Sequence, residues 1–131
     1  MEINHFSYTD TKLIQCESIG MIRTGGTLEI IQDYKFELDE ENDLEVFLDE
    51  TVHHVEEDTD IVKASYKTIF TIDEEVKGNV TIDKIQSNEE LVEFLLMPAL
   101  SLASLLFSQI TNQMFSVPII LPAVFKGKIE D

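Results

Sequence analysis

Charged side chains are distributed very unevenly along this chain. The 32 residues from Phe94 to Phe125 contain no charged side chain, although 35 of the 131 residues are charged. The first 93 residues carry 31 of those charges. A helix that packs against one core has a polar back, but the uncharged stretch predicts a long helix with apolar residues on all sides, followed by a short apolar strand. We therefore expect the helix to be covered on two sides, most simply by its own sheet and by a partner subunit.

The acidic excess narrows the range of partners. Nine basic and 26 acidic residues give a formal net charge of -17. Nucleic acids and anionic lipid surfaces would repel such a chain, so neither is an expected partner. A basic protein would instead be attracted to it. The alternative is that the acidic coat only keeps an apolar protein soluble, and the two interpretations are compatible.

The expected compartment follows from what the sequence lacks. Cys16 is the single cysteine, which excludes an internal disulfide and a cysteine-based zinc site within one chain. Residues 1–6 have no basic region followed by an apolar core, so we expect no signal peptide and a cytoplasmic location. Residues 94 to 110 are marginal in length for a membrane span, are diluted by Pro98 and three serines, and have no flanking basic cluster. We therefore expect no membrane span.

Alternating apolar and polar residues predict an antiparallel sheet of four to five strands. The pattern is clearest over Leu28–Leu38, and the acidic run 39–43 ends it as a turn. Further strands are predicted over residues 44–55, 62–72 and 76–85, with one more before Asp10. After that first strand we expect an irregular link, which is punctuated by glycines and carries Leu13, Ile14, Ile19, Met21 and Ile22.

A single long helix is predicted after the strands. Ser87 and Glu90 have the spacing of a capping box, and Glu89 adds negative charge at the helix start. We expect the helix to extend to Phe115, with a kink at Pro98 or a division there into a short and a longer helix. Strands followed by one helix indicate a single α+β domain over residues 1–131, which ends in a short apolar tail.

Small and large apolar residues are interleaved along the predicted helix. Small side chains let a second backbone approach closely, so we predict a helix wedged between its own sheet and a second protomer. The predicted contact residues are Ala99, Leu102, Ala103, Leu106 and Ile110. The alternative is a central helix in a monomer core, which needs more sheet than four or five strands provide.

Motifs that carry chemistry are weak in this sequence. His53 and His54 are neighbours in a predicted strand, where side chains point to opposite faces, so they cannot jointly bind one ion. The acidic turn has Leu44 where a calcium-binding loop needs glycine. No phosphate-binding glycine loop, nucleophile elbow or Cys/His signature is present. We therefore predict a protein that is not an enzyme and has no catalytic residue, metal or cofactor.

The segment from Ser108 to Phe125 resembles the SecB-like export chaperones. It reads SQITNQMFSVPIILPAVF, with an Ile-Thr segment at the end of a long helix, an aromatic-Pro stretch and a Leu-x-Pro-x-x-Phe-like tail. The order of strands, a glycine-containing last strand over residues 77–80 and a proline-interrupted helix are also similar. The order of elements covers most of the chain, and the close resemblance covers residues 105 to 125.

The resemblance implies a four-stranded antiparallel sheet packed against a helix, assembled as a dimer or a dimer of dimers. SecB-like proteins hold unfolded preproteins in apolar grooves without ATP, and their acidic faces help to dock the motor SecA. This chain ends at Asp131, so we expect the family's C-terminal helix and tail to be absent, which puts SecA contact in doubt. It is similar to a divergent Gram-positive or toxin–antitoxin-associated branch rather than to SecB itself.

These inferences combine into a cytoplasmic, oligomeric holdase for unfolded polypeptides. The predicted polypeptide-binding residues are Ile19, Met21, Ile22, Met97 and Phe115. The alternative for each of them is a place in the core or in the subunit interface. A rival hypothesis is an interaction protein dedicated to one folded partner, such as a basic subunit or an antitoxin. The third hypothesis is a small-molecule-binding or enzymatic domain, which would need a deep pocket lined by carboxylates with shifted pKa values.

Overall fold

Four long strands form one antiparallel sheet in the order β1-β4-β3-β2. The computed structural model describes residues 2–18 and 26–115, with side chains described for residues 2–17 and 26–112. A single 3-10 turn, Ile3–His5, leads into the sheet. The strands are β1 (Phe6–Ser18), β2 (Leu28–Leu38), β3 (Leu44–His54) and β4 (Thr59–Ile72). The predicted four-stranded antiparallel sheet is therefore confirmed.

The sequence pattern of β2 and the turn after it appear in the structure as predicted. Alternate residues of β2 are exposed, and those between them face the core, with Phe36 the most buried. The carboxylate of Asp39 accepts hydrogen bonds from the amides of Glu41 and Asp43 at 2.8 and 2.9 Å. Asn42 has a positive φ of 62°, which asparagine tolerates better than most residues. The acidic run is thus a turn held by its own first side chain.

The first strand is longer than predicted. Leu13 and Ile14, which we expected in an irregular link, lie in β1. The pairing of β1 with β4 shifts register between Tyr8 and Asp10 and again between Leu13 and Gln15. Each shift is a β-bulge that inserts one extra residue and reverses the alternation. The sequence of β1 therefore does not read as a simple period of two. The other predicted link residues, Ile19, Met21 and Ile22, lie outside the described residues.

The strand predicted over residues 76–85 is wrong. Two short helices occupy this segment, α1 (Glu74–Lys77) and α2 (Ile82–Gln86). Each has a side-chain cap: the Asp73 carboxylate accepts from the Glu75 amide at 3.2 Å, and the Thr81 hydroxyl accepts from the Lys84 amide at 3.3 Å. The predicted glycine-containing strand over residues 77–80 is wrong for the same reason, since Gly78 ends α1.

The long helix, α3 (Glu89–Phe115), starts differently from the prediction and continues through its proline. Asn88 is its cap, because the side-chain oxygen of Asn88 accepts from the Leu91 amide at 3.2 Å. The capping box predicted from Ser87 is wrong, since Ser87 ends α2 and its hydroxyl donates to the Lys84 carbonyl. Pro98 lies inside one helix of 27 residues, so the predicted division into two helices is not observed.

The core lies between α3 and one face of the sheet. The helix packs across β1, β4 and β3, and α2 packs beside it against β2. We call the covered side the helix face of the sheet and the opposite side the open face. Leu44, Val46 and Leu48 of β3 are all at most 1% exposed on the helix face. They meet helix residues of matching burial, namely Leu91, Leu95, Leu96, Ala99 and Leu100.

A second, smaller apolar cluster lies towards the end of α3. It joins Val52, Ile61 and Val62 of the sheet to Phe107 of the helix. Glu50, between Leu48 and Val52 on β3, interrupts the apolar residues of the helix face. Its carboxylate accepts a hydrogen bond of 2.9 Å from the Gln32 side chain on β2. The helix face therefore carries one polar pair in an otherwise apolar layer.

Candidate polypeptide-binding surface

One side of α3 is not covered by any other part of the chain that the structure describes. Exposed residues recur every fourth position along it, which keeps them on one side of a helix. They are Glu93, Met97, Ser101, Leu105 and Gln109. We call this stripe, with the half-buried Phe94, Leu102 and Leu106 beside it, the outer face of α3. It has no charge after its first residue, whereas an exposed helix face is ordinarily polar.

Large apolar side chains on this side are well exposed. Met97 is 37% exposed and Leu105 is 55% exposed. Among the described residues, five of the seven exposed large hydrophobic side chains lie on β1 or α3, and α3 contacts β1 directly. We call those five the β1–α3 surface: Tyr8, Leu13, Ile14, Met97 and Leu105. Apolar exposure among the described residues is thus concentrated on β1 and α3.

Aromatic rings connect the edge of the sheet to the helix. The ring of Tyr8, which is 53% exposed, lies edge-on to Phe70 with the ring centres 5.9 Å apart. Phe70 is buried, and its ring centre lies 5.9 Å from that of Phe94 on α3. Met97 is one helical turn beyond Phe94. Side chains from β1 to α3 therefore form one apolar path at the border of the core.

The backbone of β1 adds a second recognition element. Among the described strands β1 pairs with β4 alone, so one side of its 13 residues forms no ladder. An edge strand can pair with an extended chain through its main-chain groups, while pockets beside it select side chains. The exposed Leu13 and Ile14 lie on this edge strand. The site thus offers both main-chain and apolar contacts to an extended polypeptide.

The structure describes few of the predicted polypeptide-binding residues. Met97 lies on the outer face of α3, as a contact residue must. Phe115 is the last residue of α3, but its side chain lies outside the described part of the chain. Ile19, Met21 and Ile22 also lie outside the described residues. The contact role of all five stays a prediction.

The predicted interface residues divide into two groups. Ala99 and Ala103 are 0% and 3% exposed and pack against the chain's own sheet. Leu102 and Leu106 are half-buried beside that core, and Ile110 is half-buried beside the smaller cluster. Contact with a second protomer is a prediction for all five. Among the described residues, Leu102, Leu106 and Ile110 keep accessible surface that a second protomer could contact, whereas Ala99 and Ala103 do not.

Sequence reasoning missed most of the β1–α3 surface. The sequence pattern predicts only a short strand before Asp10 and a link that contains Leu13 and Ile14, because the two bulges of β1 conceal its period. Leu105 carried a usable signal, since it stands two four-residue steps after Met97. Extending the exposed stripe from Met97 along the helix would have found it.

The open face of the sheet has the opposite character. Lys12, Lys67, Phe47 and Lys35 form one row across the four strands. Lys67 contacts Glu45 at 2.9 Å and Lys35 contacts Glu37 at 3.1 Å. The ammonium groups of Lys35 and Lys67 lie 5.1 and 5.8 Å from the centre of the Phe47 ring. The open face is therefore a charged, solvated surface. Surface ion pairs of this kind contribute little stability.

A shallow polar depression of about 260 Å³ lies on the sheet beside this row. Its lining residues are Gln15, Glu17, Asp49, Glu50, Thr51, Lys63, Ala64 and Ser65. Burial raises the pKa of Glu50, and the hydrogen bond from Gln32 acts in the opposite direction. Glu50 is half-buried in this depression, whereas Glu17 and Asp49 of its lining are exposed.

One group of side chains in the described residues has the composition of a metal site. Ligand atoms of His5, Asp73 and Glu75 lie within 4.8 Å of one another. These groups already have structural partners: Nδ1 of His5 accepts from the Glu2 amide at 3.0 Å, and Asp73 caps α1. The Asp73 amide also donates to the His5 carbonyl at 2.8 Å. This cluster joins the start of β1 to the end of β4.

Length and composition alone would allow α3 to cross a membrane. The apolar window extends over Glu89–Asn112, and 44% of the tested window is buried against the rest of the chain. The core helix of a soluble protein has the same composition, so one such helix is weak evidence for a span. In this structure α3 covers its own sheet.

Comparisons with known proteins show the fold. No family model and no curated protein matches the sequence. The SecB-like chaperone Rv1957 of Mycobacterium tuberculosis, solved with a ChAD peptide from the Rv1956 HigA1 antitoxin, superposes with a TM-score of 0.73 at 10% identity. That match covers 93% of this chain and 89% of the other. A Streptococcus agalactiae protein of unknown function has a TM-score of 0.64 at 12% identity, covering 89% of this chain and 96% of the other. The chain therefore has a SecB-like fold.

Proposed function

We propose that this chain is a cytoplasmic, ATP-independent holdase that binds unfolded polypeptides on its β1–α3 surface and needs no cofactor. The observation that carries the proposal is the exposed apolar side of α3 and β1 in a protein with a net charge of -17. The neighbour Rv1957 is a SecB-like chaperone solved with a bound antitoxin peptide. That complex supports polypeptide binding as the use of this fold, without defining the client of this chain.

The proposed chemistry is burial of apolar client side chains. Removing apolar area from water contributes about 25 cal/mol per Å², and ordering of the client chain opposes it. Met97 suits varied clients because its side chain is flexible and polarizable. The free edge of β1 would add hydrogen bonds that depend on the client backbone rather than on its sequence. A surface of this kind can bind many unfolded chains and reject folded ones.

The direct test is aggregation of chemically unfolded model proteins diluted into buffer without ATP. We expect a stoichiometric amount of this protein to suppress light scattering for several unrelated clients. Lack of suppression at severalfold excess, for all clients, would contradict general holdase activity. It would leave the fold unaffected.

A second protomer is the proposed cover for the rest of the outer face of α3. Leu102, Leu106 and Ile110 are half-buried on or beside that face, whereas Ala99 and Ala103 are covered by the chain's own sheet. We expect a dimer or a dimer of dimers in sedimentation velocity, and the change Leu106→Lys should reduce the mass of the particle. A wild-type chain that sediments as a monomer at micromolar concentration would contradict the proposed interface.

The second candidate function is binding to one specific partner, either a toxin–antitoxin component or a basic protein such as SecA. The net charge of -17 favours a basic partner, because opposite charge accelerates association. The rate of association with such a partner should fall steeply as salt rises, whereas holdase binding to varied clients should depend less on salt. Stopped-flow association rates at several salt concentrations distinguish the two.

A further inference from the structure

Both ring nitrogens of His53 face carboxylates. Nδ1 lies 2.8 Å from Asp60 Oδ1, and Nε2 lies 3.1 Å from Asp58 Oδ1. A neutral imidazole has one donor nitrogen and one acceptor nitrogen, whereas carboxylate oxygens only accept. Both contacts are hydrogen bonds only when the ring is protonated. The geometry therefore holds His53 as a cation, and its hydrogen bond to Asp60 is the main cause of a raised pKa.

The next residue, His54, is held in the other protonation state. Its ring is fully buried, and Nδ1 accepts a hydrogen bond of 3.0 Å from the Glu57 amide. A protonated ring has no acceptor nitrogen, so this bond requires neutral His54. Nε2 of His54 has no hydrogen-bond partner among the residues that the structure describes. Gly26 packs against it, because a Cβ at residue 26 would lie 2.7 Å from Nε2.

The same turn fastens the beginning of β2. The Val55 amide donates to the Thr27 carbonyl at 3.0 Å, and the Thr27 amide donates to the Glu56 carboxylate at 2.8 Å. The bond from Thr27 is the main reason why the pKa of Glu56 is lowered. The turn between β3 and β4 thus holds Thr27, the residue before β2. It does so through Val55 and Glu56, which follow the two histidines in the chain.

We propose that this turn is a pH-sensitive clamp on the start of β2, closed only while His53 is protonated. Raising the pH removes the proton that joins His53 to both aspartates. His54, which accepts from the Glu57 amide, anchors the same turn in the fold. The clamp therefore opens as the pH rises.

Charged groups approach His53 from β2, β4 and the turn, and the Glu56 carboxylate of the turn lies near His54. Glu29 of β2 is paired opposite His53, and Lys63 of β4 lies 3.7 Å from the Asp60 carboxylate. His54 is paired opposite Leu28 and Thr59, which are uncharged. The acidic groups of the turn are Glu56, Glu57 and Asp58. The helix contributes no charge here, since α3 has none after Glu93.

The sign of the His53 effect follows from linkage. A base whose pKa is higher in the folded state stabilises that state below its unfolded pKa, here an ordinary value of 6.5. The contribution disappears as the pH rises through the folded pKa. Opening of the turn should therefore increase at mildly alkaline pH, where the carboxylates remain ionised.

Histidine ring resonances in a 15N-labelled full-length chain test the proposal. We expect the Asp58→Asn/Asp60→Asn variant to lower the titration midpoint of His53. We also expect 15N shifts of a neutral ring protonated at Nε2 for His54. An unchanged His53 midpoint, or a His54 ring protonated at Nδ1, would overturn the proposal.

Amide hydrogen exchange reports the clamp in the wild-type chain, so the test does not depend on a variant that folds. Protection factors of the Thr27 and Val55 amides, corrected for intrinsic exchange rates, should fall as the pH rises through the His53 midpoint. The amide of Val46, the third residue of β3, serves as the reference because it lies at the end of the strand away from the turn. A parallel fall at all three amides would indicate global unfolding and overturn the local clamp.

Discussion

Both sides of α3 carry large apolar residues, but the two sides differ in burial. On the inner side Leu91, Leu95 and Leu96 are each 0% exposed, and they fill the space above the sheet. On the outer side Leu105 is 55% exposed and Met97 is 37% exposed. A chain that needed α3 only as a core helix would place charged or polar residues on the outer side. The outer apolar residues are therefore unnecessary for the fold of one chain, and we infer that they serve contacts with other chains.

The largest effect should come from truncating the inner side. Leu96→Ala removes a fully buried side chain from the core, and we expect it to lower the free energy of unfolding by about 2–5 kcal/mol. Leu105→Ala makes the same chemical change on the outer side, where we expect a loss of less than about 0.5 kcal/mol. Urea denaturation at a concentration where both variants are monomeric measures the difference. Equal losses would mean that the two sides are not distinct.

A smaller effect tests where α3 begins. Asn88→Ala removes the side chain that accepts from the Leu91 amide, and we expect a loss of about 1 kcal/mol. Ser87→Ala is the matched control, because its hydroxyl donates to the Lys84 carbonyl and caps no amide of α3. If Ser87→Ala were the more damaging change in thermal or urea unfolding, the helix would start at the predicted capping box after all.

The smallest effect concerns the polar pair on the helix face. Burial raises the pKa of Glu50 above its ordinary value of 4.5, so the folded state binds more protons than the unfolded state. The wild-type chain therefore loses stability as the pH rises from that value. Glu50→Gln should remove this loss, and its advantage over wild type should be larger at pH 7 than at pH 4.

The neighbouring glutamine offers a control of opposite sign. Gln32→Leu removes the hydrogen bond that counteracts the effect of burial, so the loss of stability with rising pH should become steeper. Unfolding free energies of the three proteins between pH 4 and pH 7 measure both effects. Parallel curves of unfolding free energy against pH for wild type and Glu50→Gln would show that burial does not destabilise the ionised form of Glu50.

The sequence predicted the fold wherever local pattern and tertiary packing agree. Strict alternation located β2, and the charge-free run located α3. Prediction failed over residues 76–85. Val80 and Ile82 have the spacing of a strand by coincidence, but the side chains of Asp73 and Thr81 cap two short helices there. It also failed over β1, because bulges are determined by pairing with β4 and not by the strand's own residues.

The candidate site was harder to predict than the fold. The outer face of α3 follows from the sequence as soon as one exposed residue is known, because helical spacing gives the rest. The sequence does not show which side of α3 packs on the sheet, because both sides carry leucines. Tyr8 and Leu13 enter the site only through the sheet order, which places β1 at an edge beside α3.

The most direct test of the account is client affinity with apolar residues removed from one side or the other. Tyr8→Ser/Met97→Ser changes two exposed residues of the β1–α3 surface. Ile31→Ser/Val55→Ser changes two residues that are 51% and 46% exposed elsewhere. Fluorescence anisotropy with a labelled, permanently unfolded polypeptide should show weaker binding for the first variant and wild-type binding for the second. Equal affinity of both variants would contradict the assignment of polypeptide binding to the β1–α3 surface.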